Sequence, residues 1–205
     1  MSDKNNLETR VQMLEDILAI QTLKHTYLNA CDAKDVPALI STFVESDCLI
    51  DYGSVGVFQD RQDLAKVFTE VACHDYMLES HHASNPVIEI EDQINAVGSW
   101  SLTYTLINTQ DSSVVTLQGH YADTYIKTQD KWLIKETVFR LKSTLQLKIE
   151  EDLWPAMKTF IMFLGKLPDY PKSGMHDVQP DLYCLGELYR IYNEDEESGK
   201  NSKSN

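Results

Sequence analysis

Apolar residues recur from Leu7 through Val11, Leu14 and Leu18 to Leu28, with Ile17 and Ile20 widening the stripe. That period predicts a long, amphipathic first helix. Asp35 is placed to cap a second helix with Val36 and Pro37 in its first turn, and Ala38, Leu39, Ile40 and Phe43 on its apolar side. A short apolar run from Cys48 to Tyr52 then meets Gly53 and Gly56, which predicts a strand-like segment closed by a turn. Asp60 or Arg61 opens a third helix, with Leu64, Val67, Phe68 and Val71 on one face.

After His74 the period shortens to two. Strands are predicted over residues 82–91, 96–107, 114–127 and 131–141, the last with room to run on to Leu147. In the second, Trp100, Leu102, Tyr104 and Leu106 alternate with Ser99, Ser101, Thr103 and Thr105, the pattern of a strand with one wet face. Polar breaks of hairpin length separate the strands. Helices first and an antiparallel meander afterwards define an α+β layer fold. A further amphipathic helix is expected over residues 150–164, within an extension spanning 148–192. A polar tail over 193–205 is expected to be disordered.

Charge and composition narrow the function. The formal net charge of −14 excludes the basic stripe that a phosphate lattice requires and disfavours anionic membrane surfaces, so neither nucleic acid nor membrane is expected as a partner. No apolar run has the length of a membrane span, and the first ten residues lack the apolar centre of a secretion signal. A cytoplasmic protein is expected. Cys31, Cys48, Cys73 and Cys184 are scattered without a paired motif, so reduced thiols are expected. No phosphate-cradling glycine loop or dinucleotide fingerprint occurs, and no ligand spacing suggests zinc. No cofactor and no metal are expected.

Proton transfer next to a carbonyl needs a group that titrates near neutral pH and donors that stabilise charge on the oxygen. Histidine oriented by a carboxylate suits the first task, tyrosine hydroxyls the second. His120, between Gly119 and Tyr121, shares a strand face with Val114, Thr116, Gln118, Ala122 and Thr124, small and polar residues suited to a cavity wall. A solvated strand histidine would show the same pattern. Of His81 and His82, adjacent on a strand, one at most faces inward. Asp32 closes the first apolar stripe, one turn beyond Tyr27. It could equally be a helix-terminal cap.

Taken in order, 27–35 (Tyr-Leu-Asn-Ala-Cys-Asp-Ala-Lys-Asp), 49–52 (Leu-Ile-Asp-Tyr), 81–89 beginning His-His-Ala-Ser-Asn-Pro, and Gly119-His120-Tyr121 through Trp132-Leu133-Ile134 resemble the nuclear-transport-factor-2-like superfamily in its SnoaL-like branch. The layout is most similar to scytalone dehydratase, and the first helix to bile-acid 7α-dehydratase, over about residues 10–145. The resemblance implies a cone, a curved antiparallel sheet wrapped by N-terminal helices in a cystatin-like α+β barrel. It also implies a small-molecule pocket and a dimer or trimer. It carries catalytic roles to Asp32, His81, His120, Tyr52 and Tyr27, and prefers His81 over His82 by the interval to Glu89. Cys31, His82, Trp100, Tyr104, Gln118 and Arg140 complete the expected substrate-facing set. Cys31 stands where the scytalone pattern has a tyrosine, and Tyr27 is the residue able to replace that donor. The expected reaction is a cofactor-free dehydration or isomerisation of a cyclic hydroxy-ketone of polyketide, steroid or terpenoid type. The alternative is a member of the same fold that only binds a small molecule or another protein.

Overall fold

The computed structural model describes residues 2–149, with side chains from Asn6 onward. The expected extension over 150–192, the tail beyond it and Cys184 lie outside the described residues. Helix α1 (Ser2–Asp32) is followed by α2 (Val36–Ser41), β1 (Leu49–Asp51), a 3-10 turn (Gly53–Val55), β2 (Val57–Phe58) and α3 (Arg61–Val71). Four long strands then form a meander: β3 (Met77–Ile90), β4 (Asn95–Asn108), β5 (Ser113–Thr128) and β6 (Lys131–Lys148).

Local chemistry explains the boundaries. Asp35 Oδ1 accepts the Ala38 amide at 2.9 Å and Asp60 Oδ1 the Gln62 amide at 2.7 Å, each capping a helix start. Helix α1 ends because Lys34 takes a left-handed φ of 58°, letting the Asp35 amide return to the Ala30 carbonyl at 2.9 Å. Gln129 and Asp130, at φ 50° and 61°, make the two-residue turn between β5 and β6, the geometry that matches strand twist.

The strands lie in the order β2-β1-β6-β5-β4-β3, a curved α+β sheet that does not close into a barrel. The meander is antiparallel as expected. The departure is β1, which pairs parallel with β6 (Ile50 beside Thr137), because the chain arrives from α2 rather than from a hairpin. Register shifts between Ser84 and Val87, at Gln118/Gly119 and at Thr124/Tyr125 bend the strands. At the second of these, Gly119 lies under the Phe139 ring, where a Cβ would stand 2.1 Å from the ring.

The concave face carries the core: Tyr125, Trp132 and Ile134 cluster with Ile20, Tyr27, Leu28 and Cys31 of α1, and Trp100, Leu102 and Tyr121 form a second cluster beside them. A helical apolar stripe ordinarily faces a core. In α1 the core-facing residues begin only at Asp16 and Ile20. Leu7, Val11, Leu14 and Leu18, the clearest part of the sequence pattern, are 58, 44, 67 and 63% exposed. The helix therefore carries two stripes, and the inner one is interrupted by Asp16 and Lys24, which hid it.

Candidate active site

The last two turns of α1 present Lys24, Tyr27 and Cys31 to the concave sheet face at intervals of three and four residues, with Asp32 at the end. Asp32 clasps His81 twice. Its Oδ2 accepts the His81 backbone N–H at 3.0 Å, and its Oδ1 lies 2.6 Å from the ring Nδ1. A proton on Nδ1, donated to Asp32, leaves Nε2 as the ring atom able to take another. Among the described residues Nε2 has no hydrogen-bond partner. The two side chains keep 27 and 15% exposure, so the dyad is sheltered but reachable.

A second brace holds the same ring. The Tyr104 ring packs on that of His81 with centroids 4.5 Å apart, and the Tyr104 hydroxyl donates to Glu79 Oε1 at 2.7 Å. The other Glu79 oxygen pairs with the Lys34 ammonium. Residues 79 and 81 face the same way on β3, so the Asp32–His81 hydrogen bonds and the Glu79–Lys34 ion pair fasten the end of α1 to that strand. Burial, reinforced by the bond to Glu79, pushes the Tyr104 hydroxyl up, so it remains a donor.

Deeper along α1, the Tyr27 and Tyr52 hydroxyls lie 2.6 Å apart, one donating to the other. Burial drives both far above the ordinary phenol range, and the neighbouring Tyr121 phenol adds to the effect. Burial likewise pushes the Cys31 thiol up to about 12, keeping it protonated at neutral pH. The structure thus pairs Tyr52 with Tyr27, one turn before the cysteine that interrupts the tyrosine pattern.

The remaining expected residues divide sharply. His120 is exposed on the opposite face of β5, beside Ser101 and Arg140, because inward positions on that strand are Gly119, Tyr121, Asp123 and Tyr125. The shared hollow expected for two histidines therefore holds one. Gln118 shares the exposed face, and His82 is exposed with its Nδ1 3.3 Å from the Ser80 hydroxyl. Arg140 also leaves the expected set: its guanidinium donates outside to Asp51 at 2.6 Å. Trp100 is 1% exposed, its indole N–H donating to the Tyr125 hydroxyl at 2.9 Å, a core position rather than a substrate contact.

One polar group escaped the sequence reading entirely. Lys24 and Asp123 form an ion pair at 2.9 Å with both side chains 0% exposed. The Lys24 ammonium lies 3.5 Å from the Tyr121 ring centroid and 5.1 Å from that of Tyr27. Asp123 also accepts from Tyr125 at 2.8 Å and from Thr137 at 2.6 Å. Burial lowers the affinity of Lys24 for its proton, and Asp123 opposes that. The available signal was spacing: Lys24 shares the helix face of Tyr27 and Cys31, and Asp123 the strand parity of Tyr121 and Tyr125. Among the described residues, no group of three His, Cys, Asp or Glu is arranged to hold a metal, and no helix is long and apolar enough to cross a membrane.

A curved sheet wrapped by helices is the architecture of the nuclear-transport-factor-2-like superfamily. The chain belongs to the SnoaL-like domain family, whose pattern matches residues 12–138. Among curated proteins, none matches the sequence. Similar solved structures include a Novosphingobium aromaticivorans protein provisionally named scytalone dehydratase, 24% identical, with a TM-score of 0.58 over 73% of this chain and 94% of that one. A hexachlorocyclohexane dehydrochlorinase is 14% identical, with a TM-score of 0.62 over 84% of this chain and 99% of the other. A second such enzyme, from Novosphingobium barchaimii, is 15% identical with a TM-score of 0.61, over 67% of this chain and 94% of its own. At these identities the likeness establishes the fold.

Proposed function

We propose that the protein is a cofactor-independent dehydratase or isomerase acting on a cyclic hydroxy-ketone, with His81 as its acid–base group. The observation that carries this reading is the double clasp of Asp32 on His81, which fixes the ring and leaves Nε2 to move a proton. In the dehydration, Nε2 takes the proton from the carbon next to the carbonyl. The electron pair forms the new double bond as the C–O bond of the hydroxyl breaks. The proton then passes from Nε2 to the departing oxygen, which leaves as water. Tyr27 and Tyr52 are the donors proposed to hold the carbonyl oxygen, since one of the two hydroxyl protons remains free of their mutual bond. Protonated at neutral pH, the Cys31 thiol serves as packing, without a nucleophilic role.

With His120 on the exposed face, one histidine must both take and return the proton. A panel of cyclic hydroxy-ketones, followed by mass spectrometry for loss of water or shift of a double bond, tests this. We expect His81→Ala to lower kcat/KM at least about a hundredfold, the scale of lost acid–base catalysis, and Asp32→Asn to follow it. His120→Ala should leave turnover unchanged. A folded His81→Ala protein with full turnover on a true substrate would sink the assignment.

A further inference from the structure

The outward stripe of α1 has a regularity that the pocket does not explain. Leu7, Val11, Leu14 and Leu18 are separated by four, three and four residues, the alternation of a coiled-coil seam. At 3.6 residues per turn they fall within about 60° of one another, and about 140° round the helix from the core-facing Ile20, Lys24, Tyr27 and Cys31. All four are exposed, and every described residue from Asn6 to Glu15 is exposed as well. This half of a 31-residue helix thus lies outside the core with a strip of leucine and valine on its far side.

We infer that this stripe is a homodimer seam, in which α1 of a second copy lies parallel against it. Three observations select that occupant. A stripe confined to about 60° of the helix is the narrow seam that fits another helix, whereas a helix lying on a sheet or a lipid surface carries an apolar face of roughly 100° or more. The seam lies well round the helix from the pocket-facing stripe, so two bodies can flank a central helix pair without either losing its core contacts. Charge then fixes the direction. Arg10 immediately precedes Val11 and Glu15 immediately follows Leu14, the flanking positions that meet across a parallel pair. Two Arg10–Glu15 contacts close the two sides symmetrically in a parallel arrangement, whereas an antiparallel one sets Arg10 and Glu15 on opposite sides of the seam. Beyond Leu18 the same seam meets Gln21 and His25, so the apolar contact is short and the dimer dissociates on dilution.

Light scattering on the full chain over a range of concentrations tests this. The wild type should move from monomer to dimer mass as concentration rises, and Leu14→Glu should stay monomeric with unchanged circular dichroism. Charge exchange supplies a check independent of that variant. Arg10→Glu and Glu15→Arg should each weaken self-association, and an equimolar mixture of the two should regain dimer, since both contacts between positions 10 and 15 are then of opposite sign. A wild type that remains monomeric throughout overturns the inference, including the case in which the chain's own residues beyond 149 cover the stripe. A dimer indifferent to Leu14→Glu also overturns it, by placing the contact on another face.

Discussion

Helix α1 and the concave sheet face meet in two polar clusters that share chemistry and differ in what they leave undone. At the helix end, Asp32, His81, Glu79, Lys34 and Tyr104 interlock at partly exposed positions, and one ring nitrogen stays uncommitted. Eight residues earlier, Lys24, Asp123, Thr137, Tyr125 and Trp100 interlock with no exposure, and both Asp123 oxygens are engaged. A buried ion pair must satisfy itself, because removing one partner strands a charge away from water. Among the described residues, each cluster thus keeps one nitrogen without a hydrogen bond, the Lys24 ammonium in the deep one and the His81 Nε2 at the rim, and solvent reaches only the rim pair.

The sharpest way to break that division is Asp123→Ala. It should cost about 3–5 kcal/mol of stability by leaving Lys24 uncompensated, read as a large fall in Tm. The double variant Lys24→Met with Asp123→Leu should recover only part of that loss, since it removes the stranded charge but leaves the buried Tyr125 and Thr137 hydroxyls without their acceptor. Failure of the double variant to recover would mean that the pair itself, rather than a stranded charge, sets the cost. At the rim, Glu79→Gln should lower kcat about threefold to tenfold with stability within about 1 kcal/mol, because it loosens the brace on the His81 ring while solvent reaches Lys34. An unchanged kcat would reduce Glu79 to a surface tether.

Two smaller effects sharpen the boundary between buried and accessible groups. Cys31, pushed up to about 12 by burial, should resist alkylation in the native protein and react readily once unfolded, as mapped by mass spectrometry. Asp16 sits at the opposite end of the inner stripe. Burial pushes its carboxyl up, but the Lys127 ammonium, the Trp132 indole N–H and the Gln12 amide outweigh it and hold the group below its ordinary value. A folded value below the unfolded one adds stability that is complete above the unfolded value near pH 3.9 and is lost as pH falls through the folded one. Asp16→Asn should accordingly flatten the acid limb of Tm against pH.

Much of the fold was legible because its signals are local. Asp35 and Asp60 announced their helices, and alternation along Ser99–Tyr104 marked the wet and dry faces of β4. The strand carrying His81 begins five residues earlier than its pattern, because Met77–His81, two apolar residues followed by three polar ones, lacks alternation and is held by pairing with β4. The inward placement of Asp32, Tyr27 and His81 was legible where resemblance and helix spacing agreed. It was misread at His120, where small residues suggested a cavity wall and the competing parity of Tyr121 and Tyr125 carried more buried area. Lys24 and Asp123 stayed hidden because a charge in a sequence reads as surface until its partner is known.

Among the described residues, the strand that bears His81 is also the last in the sheet, with β4 on one side only. An open margin of this kind invites a foreign chain to add itself, copy upon copy. Here Pro86 withholds a donor, Asn85 turns left-handed at φ 52°, and the ladder to β4 slips between Ser84 and Val87. The border is thus a broken template, which opposes fibrous growth along the flank that carries the Asp32–His81 pair.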